Sequence, residues 1–130
     1  MHEMSLCEGI LQVLEEQARR QRYRQVKTVY LEIGALAAVE SEALRFGFEV
    51  VSRGTLAEGA RLEIRELPAA AWCLQCRATV ALRRRYDPCP LCGGHQLQLT
   101  GGDEMRIKEL EVVTMTARAS GPVAPGEFLI

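Results

Sequence analysis

The chain has 130 residues, of which 48% are hydrophobic and 25% are charged, and its formal net charge is −1. This length suits one domain with a small insertion, and the hydrophobic fraction is sufficient for a buried core. A net charge near zero provides no general attraction to nucleic acid or to an anionic membrane, and no apolar run is long enough to span a bilayer.

The first predicted element is a helix. Ser5 and Glu8 have the spacing of a capping box, and apolar residues then recur every three or four positions. These apolar residues are Leu6, Ile10, Val13, Leu14 and Ala18. We therefore predict a helix from about Leu6 to Arg22, with the stretch MHEM just ahead of it and outside it.

A strand and a second helix follow. VKTVYLEIG alternates apolar and polar residues and ends in a glycine, which predicts a strand. VESEALRFGFEVVSRGT has helical periodicity. We expect Glu40 or Ser41 to begin this helix and Gly54 to end it.

The remaining regular elements are predicted strands. ARLEIREL alternates and is closed by Pro68, and QLQLT alternates again after the cysteine-rich stretch. EMRIKELEVVTM is the last predicted strand, and its alternation breaks near Glu109, which indicates a β-bulge. The final stretch is rich in Gly, Pro and Ala without a period, which is typical of disorder.

These elements predict an α/β fold in which two helices pack on a small mixed β-sheet. Residues 1–70 form the first part of the α/β domain, and residues 71–95 form an insert. Residues 96–116 supply the return strands of the α/β domain, and residues 117–130 are a disordered tail.

The insert carries two CxxC motifs separated by twelve residues. Each CxxC turn directs two thiolates at one point, and two such turns complete a tetrahedral zinc site with no open position. The four predicted ligands are Cys73, Cys76, Cys89 and Cys92. The start of the chain lacks a secretory signal pattern, so we expect a cytoplasmic protein whose thiols stay reduced. The insert is therefore predicted to be a zinc-ribbon-like domain with a structural metal, and a pair of redox motifs is the alternative.

Cys7 and the Arg83–Arg85 run allow more than one interpretation. Cys7 lies on the apolar side of the first predicted helix, so we interpret it as a small buried residue and not as a ligand. Arg83–Arg85 lies between the two CxxC motifs and could contact phosphate, dock a partner or form a solvated turn. Three charges are a small footprint for nucleic acid, and we expect no nucleic-acid partner.

The amino terminus is a candidate metal chelate. Met1 supplies the α-amine, His2 supplies an amide and an imidazole nitrogen, and Glu3 supplies a further amide. Four nitrogens in a plane suit Ni(II) or Cu(II). A histidine near a terminus is more often only a polar residue, so spacing alone does not decide the question.

Several stretches together resemble a known family. MHEMS, LEIGALAAVESEALRFGFEV, the double CxxC and GGDEMRIKELEV occur in this order. They resemble the HypA/HybF family, the nickel metallochaperones of [NiFe]-hydrogenase maturation, over residues 1–113. The resemblance implies a nickel-binding α/β domain that carries a structural zinc domain.

The resemblance also implies roles for individual residues. His2 matches the essential nickel ligand of the family, with the Met1 amine and the backbone nitrogens of His2 and Glu3 completing the site. Glu3 matches the adjacent acidic residue, and the four insert cysteines match the zinc ligands. Glu40 and His95 match less well, and their roles stay open.

The implied partners are a HypB-type GTPase and the hydrogenase large subunit, and in some organisms the family also serves urease. We expect a metallochaperone without catalytic activity, as a monomer or a homodimer, and no membrane partner. The alternative is a zinc-ribbon adaptor that binds nucleic acid or protein through Arg83–Arg85. An enzyme is disfavoured, because no nucleophile–base pair, open metal site or phosphate loop stands out in the sequence.

Overall fold

A computed structural model describes residues 3–115, 120–123 and 128–129. These ranges contain two helices and eight strands that form two sheets. The elements are α1 Glu3–Gln21, β1 Tyr23–Gly34, α2 Ser41–Ser52, β2 Arg61–Leu67, β3 Ala69–Cys73, β4 Ala78–Leu82, β5 Leu97–Gly101, β6 Met105–Thr114, β7 Ser120–Val123 and β8 Phe128–Leu129. Neither helix in the described ranges combines the length and apolar character that crossing a membrane requires.

The main sheet has the strand order β2-β1-β6-β7, and β8 also pairs with β6. β2 runs parallel to β1, whereas β6 runs antiparallel to it, so the sheet is mixed. The parallel pair is joined through α2, as a βαβ crossover requires. Both helices and the three long strands contribute to one hydrophobic core. The predicted α/β fold with two helices on a small mixed sheet is therefore confirmed.

Helix α1 begins earlier than the sequence predicts. It starts at Glu3, so Glu3 and Met4 lie inside the helix and Ser5 is not its cap. A carboxylate is favoured in the first turn of a helix by the helix dipole. The Glu3 carboxylate also accepts a hydrogen bond from the backbone N–H of Glu40 at 3.2 Å. This tertiary contact outweighs the local capping signal at Ser5, and the expectation that MHEM lies outside the helix is wrong for its last two residues.

Helix α2 has the ends that the sequence predicts. Glu40 is the N-cap, and its side chain accepts from the backbone N–H of Glu42 at 3.1 Å. The helix ends at Ser52, and Gly54 follows with φ +76°. α2 packs closely against α1 at Gly47. A Cβ added there would lie 3.0 Å from the Sγ of Cys7 in α1, so a larger side chain would push the helices apart.

The pairing of β1 with β6 contains the predicted bulge. Tyr30 is opposite Glu109 and Leu31 is opposite Ile107, so Lys108 is the extra residue. The extra residue shifts the alternation of side chains, which is why the sequence pattern breaks at this point.

The second sheet has three antiparallel strands in the order β4-β3-β5. Residues 96–116 are predicted to return to the α/β domain, but Leu97–Gly101 form β5, which pairs with β3 in the small sheet. An alternating pattern identifies a strand but carries no information on which sheet it joins. The buried residues of this sheet form a separate small cluster: Ala69, Ala71, Cys73, Val80, Leu82 and Cys89.

Two glycines lie at the junction of the sheets. The backbone N–H of Gly34 donates to Glu104 O at 2.8 Å, and that of Leu36 donates to Gly102 O at 2.7 Å. Gly102 has φ +124°, and a Cβ there would lie 2.6 Å from the Cβ of Ala69. The Leu36 side chain packs against the small cluster, so the loop after β1 belongs to both sheets.

The carboxyl-terminal stretch also differs from the prediction. Residues 117–130 are predicted to be disordered, whereas β7 and β8 pair antiparallel with β6. The backbone N–H and C=O groups of a strand edge can pair with any extended segment, so this pairing needs no hydrophobic period. Residues 116–119, 124–127 and 130 lie outside the described residues.

Candidate metal centres

The four insert cysteines come together at one end of the small sheet. Cys73 ends β3, Cys76 lies in the turn before β4, and the other two lie in the loop between β4 and β5. Their sulfurs all lie within 4.8 Å of one another, and the residues are Cys73, Cys76, Cys89 and Cys92. The Sγ atoms of Cys73 and Cys92 are 3.7 Å apart, and those of Cys76 and Cys89 are 4.0 Å apart. A tetrahedron with metal–sulfur bonds of about 2.3 Å has sulfur–sulfur edges of about 3.8 Å, so this spacing fits a tetrahedral metal.

The two CxxC motifs form equivalent turns. The residue after each motif has a left-handed backbone, with φ 52° at Arg77 and 74° at Gly93. Each of these residues donates its backbone N–H to the carbonyl of the first cysteine of its motif, at 2.8 Å in both turns. The spacing of the cysteines and this left-handed position together aim the sulfurs inward. The sequence pattern reveals the glycine but gives no signal for the same conformation at Arg77.

Backbone N–H groups also point at the sulfurs. The N–H of Cys76 donates to Cys73 Sγ and the N–H of Leu91 donates to Cys89 Sγ, both at 3.4 Å. Hydrogen bonds of this kind stabilise thiolates and are usual around bound metals. Gln75, which the CxxC pattern does not single out, also contacts the cluster: its side-chain oxygen accepts from the Sγ of Cys92 at 3.3 Å.

The thiols do not ionise equally. Burial acts to raise the pKa of Cys89, but backbone hydrogen bonds from Cys92 and Leu91 lower it to about 7. The hydrogen bond with Cys92, followed by burial, raises the pKa of Cys76 to about 12. Four thiolates at this separation repel one another, so full ionisation needs a cation at their centre. Four soft sulfur donors in a closed tetrahedral arrangement fit Zn²⁺.

The amino-terminal candidate site is described only at Glu3. Met1 and His2 lie outside the described residues. The Glu3 carboxylate holds the start of α1 against the cap of α2 through the N–H of Glu40. Glu40 itself caps α2, which agrees with its interpretation as a helix N-terminal carboxylate.

Cys7 is not part of either candidate site. Its side chain is fully buried, and its Sγ donates to the carbonyl of Leu44 at 3.2 Å. Burial, with the nearby charges of Glu3 and Glu8, raises the pKa of the Cys7 thiol to about 11. It is therefore a protonated core residue at neutral pH, as the sequence predicts.

Arg83–Arg85 and His95 lie on the surface. The Asp87 carboxylate accepts from the backbone N–H groups of Arg83 and Arg84, which fixes the turn and leaves the arginine side chains exposed. His95 is exposed after the second CxxC turn. Among the described residues it does not belong to the group that could hold a metal, which consists of the four cysteines.

Comparison with known proteins gives a consistent result. A protein-family model described as "Hydrogenase/urease nickel incorporation, metallochaperone, hypA" matches residues 1–112. The hydrogenase maturation factor HypA of Azotobacter chroococcum mcd 1 is 69% identical over 112 residues, and that of Azotobacter vinelandii is 67% identical over the same length. Each alignment covers 86% of this chain and 99% of the relative.

A solved structure shares the fold. The solution structure of the Ni metallochaperone HypA from Helicobacter pylori matches with a TM-score of 0.63 at 24% sequence identity. The match covers 88% of this chain and 99% of that one.

Proposed function

The chain belongs to the HypA family of metallochaperones for nickel incorporation into hydrogenase and urease, and from this premise we propose that it delivers Ni(II) to the large subunit of [NiFe]-hydrogenase. It is a maturation factor and not an enzyme. The observation that carries the proposal is the family match, which begins at Met1 and therefore includes the MHE start.

The proposed nickel ligands are the Met1 amine, the His2 amide and imidazole, and the Glu3 amide. The position of Glu3 supports this set. Glu3 is the first residue of α1, so the start of the helix holds it next to the terminal residues Met1 and His2 in the sequence. The Glu3 carboxylate is already engaged with Glu40, so its proposed role is to fix the amide and not to bind the metal.

A site of this kind suits a cargo metal. The α-amine of a protein titrates at about pH 8, and amide nitrogens must lose a proton before they bind a metal. Nickel affinity therefore falls as the pH falls, and a partner that pulls the terminus away from α1 opens the chelate. We propose that docking of the terminus on a partner is the transfer route.

The proposed role of the four-cysteine site is structural zinc binding. Cys73, Cys76, Cys89 and Cys92 would hold Zn²⁺, and a closed set of four thiolates leaves no position for a substrate. When bound, zinc supplies a fixed cross-link between the two CxxC turns. Persistent thiolates need a reducing compartment, which supports the cytoplasm as the proposed location.

The proposed partners are a HypB-type GTPase and the [NiFe]-hydrogenase large subunit. The family serves nickel incorporation into urease as well as hydrogenase, so urease maturation proteins are the second proposed destination. The relatives named above are hydrogenase maturation factors, which favours hydrogenase.

The nickel site is tested with tag-free protein whose Met1 amine is free. Zinc and nickel contents are measured by elemental analysis after equilibration with Ni(II) and removal of excess metal. We expect one zinc per chain in the wild type, in His2→Ala and in His95→Ala. We expect nickel in the wild type and in His95→Ala but not in His2→Ala. His95→Ala is the matched control because His95 is the other histidine.

A second variant tests the terminal amine. One residue added before Met1 converts the amine to an amide, so nickel binding should be lost while zinc stays. Equal nickel binding by the extended protein would contradict the proposed ligand set. Salt-sensitive binding of an oligonucleotide that survives His2→Ala would instead favour an adaptor that acts through Arg83–Arg85.

A further inference from the structure

The end of α1 and the start of β1 carry a dense group of cations. Although the chain as a whole is nearly neutral, five of its 16 lysines and arginines fall within nine consecutive residues, and all five are exposed. The salt bridges formed within the described ranges use other cations. We call this group the basic corner, and its members are Arg19, Arg20, Arg22, Arg24 and Lys27.

The dipole of α1 explains only part of the basic corner. Arg19 and Arg20 lie in the last turn of the helix, where a positive charge is favoured. Glu15 and Glu16 precede them by four positions, a spacing that permits ion pairs, yet the salt bridges of the described residues do not include these pairs. The other three cations of the basic corner lie beyond the helix, so its dipole does not account for them.

The backbone departs from regular geometry at each of these three cations. Arg22 directly follows α1 with a left-handed φ of 56°, at a position where helices usually carry glycine. In the pairing of β1 with β6, the register passes over Arg24 and then over Lys27, so each is an extra residue. A bulge leaves its extra residue outside the ladder and changes the direction of the side chain. Three irregularities in close succession therefore coincide with three exposed positive charges.

An exposed apolar side chain lies beside these cations. The backbone N–H of Met115 donates to the carbonyl of Arg22 at 3.0 Å, and Met115 is 59% exposed. Arginine and methionine are both enriched at protein–protein interfaces relative to the rest of a protein surface. The composition of this surface therefore favours a protein partner.

Carboxylates limit the length of the basic corner. Glu16 lies one turn before Arg20 on α1 and is exposed. At the other end, Glu111 pairs in register with Thr28, the residue after Lys27, and accepts from the Thr28 hydroxyl at 2.8 Å. A continuous row of phosphates would meet these negative charges, whereas a short acidic segment of a protein would fit between them.

We propose that the basic corner is a docking surface for an acidic segment of a partner protein. Such a segment presents several Asp or Glu side chains, and an arginine guanidinium binds a carboxylate through two parallel hydrogen bonds. The surface lies at the end of α1 opposite the proposed nickel site. α1 has 19 residues, so its two ends are about 28 Å apart. A partner held here leaves the amino terminus accessible, and the docking does not depend on whether that terminus binds nickel.

The test is the binding of a fluorescently labelled oligoglutamate peptide to the full, zinc-loaded chain, measured by anisotropy at low and high salt. Arg20→Gln, Arg22→Gln and Arg24→Gln combined should weaken binding by about tenfold at low salt, where exposed ion pairs are least screened. The matched control replaces Arg83–Arg85 with three glutamines, which removes the same number of exposed arginines elsewhere and should leave the affinity within about twofold of wild type.

Two results would overturn the proposal. Equal losses in the two triple variants would show that the peptide senses only the net charge of the chain. Tighter binding of a single-stranded oligonucleotide or of phosphatidylserine vesicles than of the peptide, lost in the same basic-corner variant, would assign the surface to phosphate groups and not to an acidic protein.

Arg22→Gly separates docking from folding. Glycine adopts a φ of 56° without strain, so this variant should unfold at the same temperature as the wild type or a higher one, yet bind the peptide about threefold more weakly. Arg77→Gly is the matched control, because Arg77 is also exposed with a left-handed φ of 52° but lies in the first CxxC turn. Arg77→Gly should keep the wild-type affinity, and equal affinities of the two glycine variants would contradict a role of Arg22 in docking.

Discussion

The main sheet and the small sheet are stabilised by different means. The main core includes large side chains from both helices and three strands, and Phe48, Tyr23 and Leu14 are all at least 99% buried. The small cluster has two branched aliphatic side chains, Val80 and Leu82, and its other buried members are alanines and cysteines. Even with Leu36 and Leu97 packed partly buried against them, these few side chains are a small core to offset the conformational entropy lost when a segment of this length is ordered.

The difference separates two uses of a metal. In the small sheet, two of the buried residues are themselves proposed ligands, so we expect zinc binding and folding of this sheet to be coupled. The proposed nickel site lies at the start of α1, on a core that needs no metal. Loss of the proposed structural zinc should therefore unfold the small sheet. Release of the proposed nickel cargo should leave the main core folded.

Removing one thiolate is the strongest test of whether the small sheet, unlike the main core, depends on a bound metal. We expect Cys73→Ser to lose zinc and to unfold β3, β4 and β5, because structural zinc supplies about 10–16 kcal/mol of apparent free energy in small domains. Hydrogen exchange of the amides checks this, together with the fluorescence of Trp72, the single tryptophan, which lies in β3. The amides of β1 should stay protected.

The control for this substitution is Cys7→Ala, since Cys7 is the one cysteine outside the cluster. It should keep one zinc per chain and a native Trp72 signal. Slow exchange throughout β3 in a zinc-free Cys73→Ser protein would show that the small sheet folds without metal.

The main core should respond to the loss of a side chain and not to the loss of metal. Phe48→Ala leaves a cavity in the core, and we expect the free energy of unfolding to fall by about 3–5 kcal/mol. Phe46→Ala is the matched control, because Phe46 lies on the same helix and is 66% exposed. Denaturant unfolding followed by circular dichroism measures both. An equal loss in the two variants would contradict the assignment of the core.

The junction of the sheets is probed at Gly102. In Gly102→Ala the new Cβ meets Ala69 and the backbone has a positive φ, so we expect a loss of about 2–3 kcal/mol in the free energy of unfolding. Gly59→Ala is the control, since Gly59 has φ +77° but nothing within 4 Å of the added Cβ. Gly59→Ala therefore measures the backbone strain alone, and it should lower the free energy of unfolding by less than Gly102→Ala does. Equal costs in the two variants would show that the contact with Ala69 is relieved by a shift.

Local signals in the sequence predicted most of the elements. The cap at Glu40, the stop at Gly54 and the bulge beside Glu109 each depend on residues within a few positions, and all three are present. The CxxC spacing likewise predicted that four sulfurs would meet, because each turn is a local structure.

The errors involve contacts between distant parts of the chain. The start of α1 is fixed by Glu3 and Glu40, which are thirty-seven positions apart. The sheet that β5 joins, and the pairing of β7 with β6, depend on which strand edge is free, and alternation does not encode that. Whether Met1 and His2 bind nickel stays a prediction, since the signal there is chemical and not structural.

The smallest expected effect concerns pH and the main core. Burial raises the pKa of Cys7 from 9.0 to about 11, so in the folded state its thiol stays protonated while the unfolded chain loses the proton. Between those two values the unfolded state binds fewer protons than the native state, and the free energy of unfolding therefore falls as the pH rises. With zinc saturating, we expect the wild type to lose about 1 kcal/mol between pH 8 and pH 10, and Cys7→Ala to lose less over the same range. Burial also raises the pKa of Tyr23, to about 12, so Tyr23→Phe should change the slope only above pH 10. If Cys7→Ala kept the full alkaline loss, groups other than Cys7 would be responsible, and the burial of the Cys7 thiol would not account for the pH dependence of the free energy of unfolding.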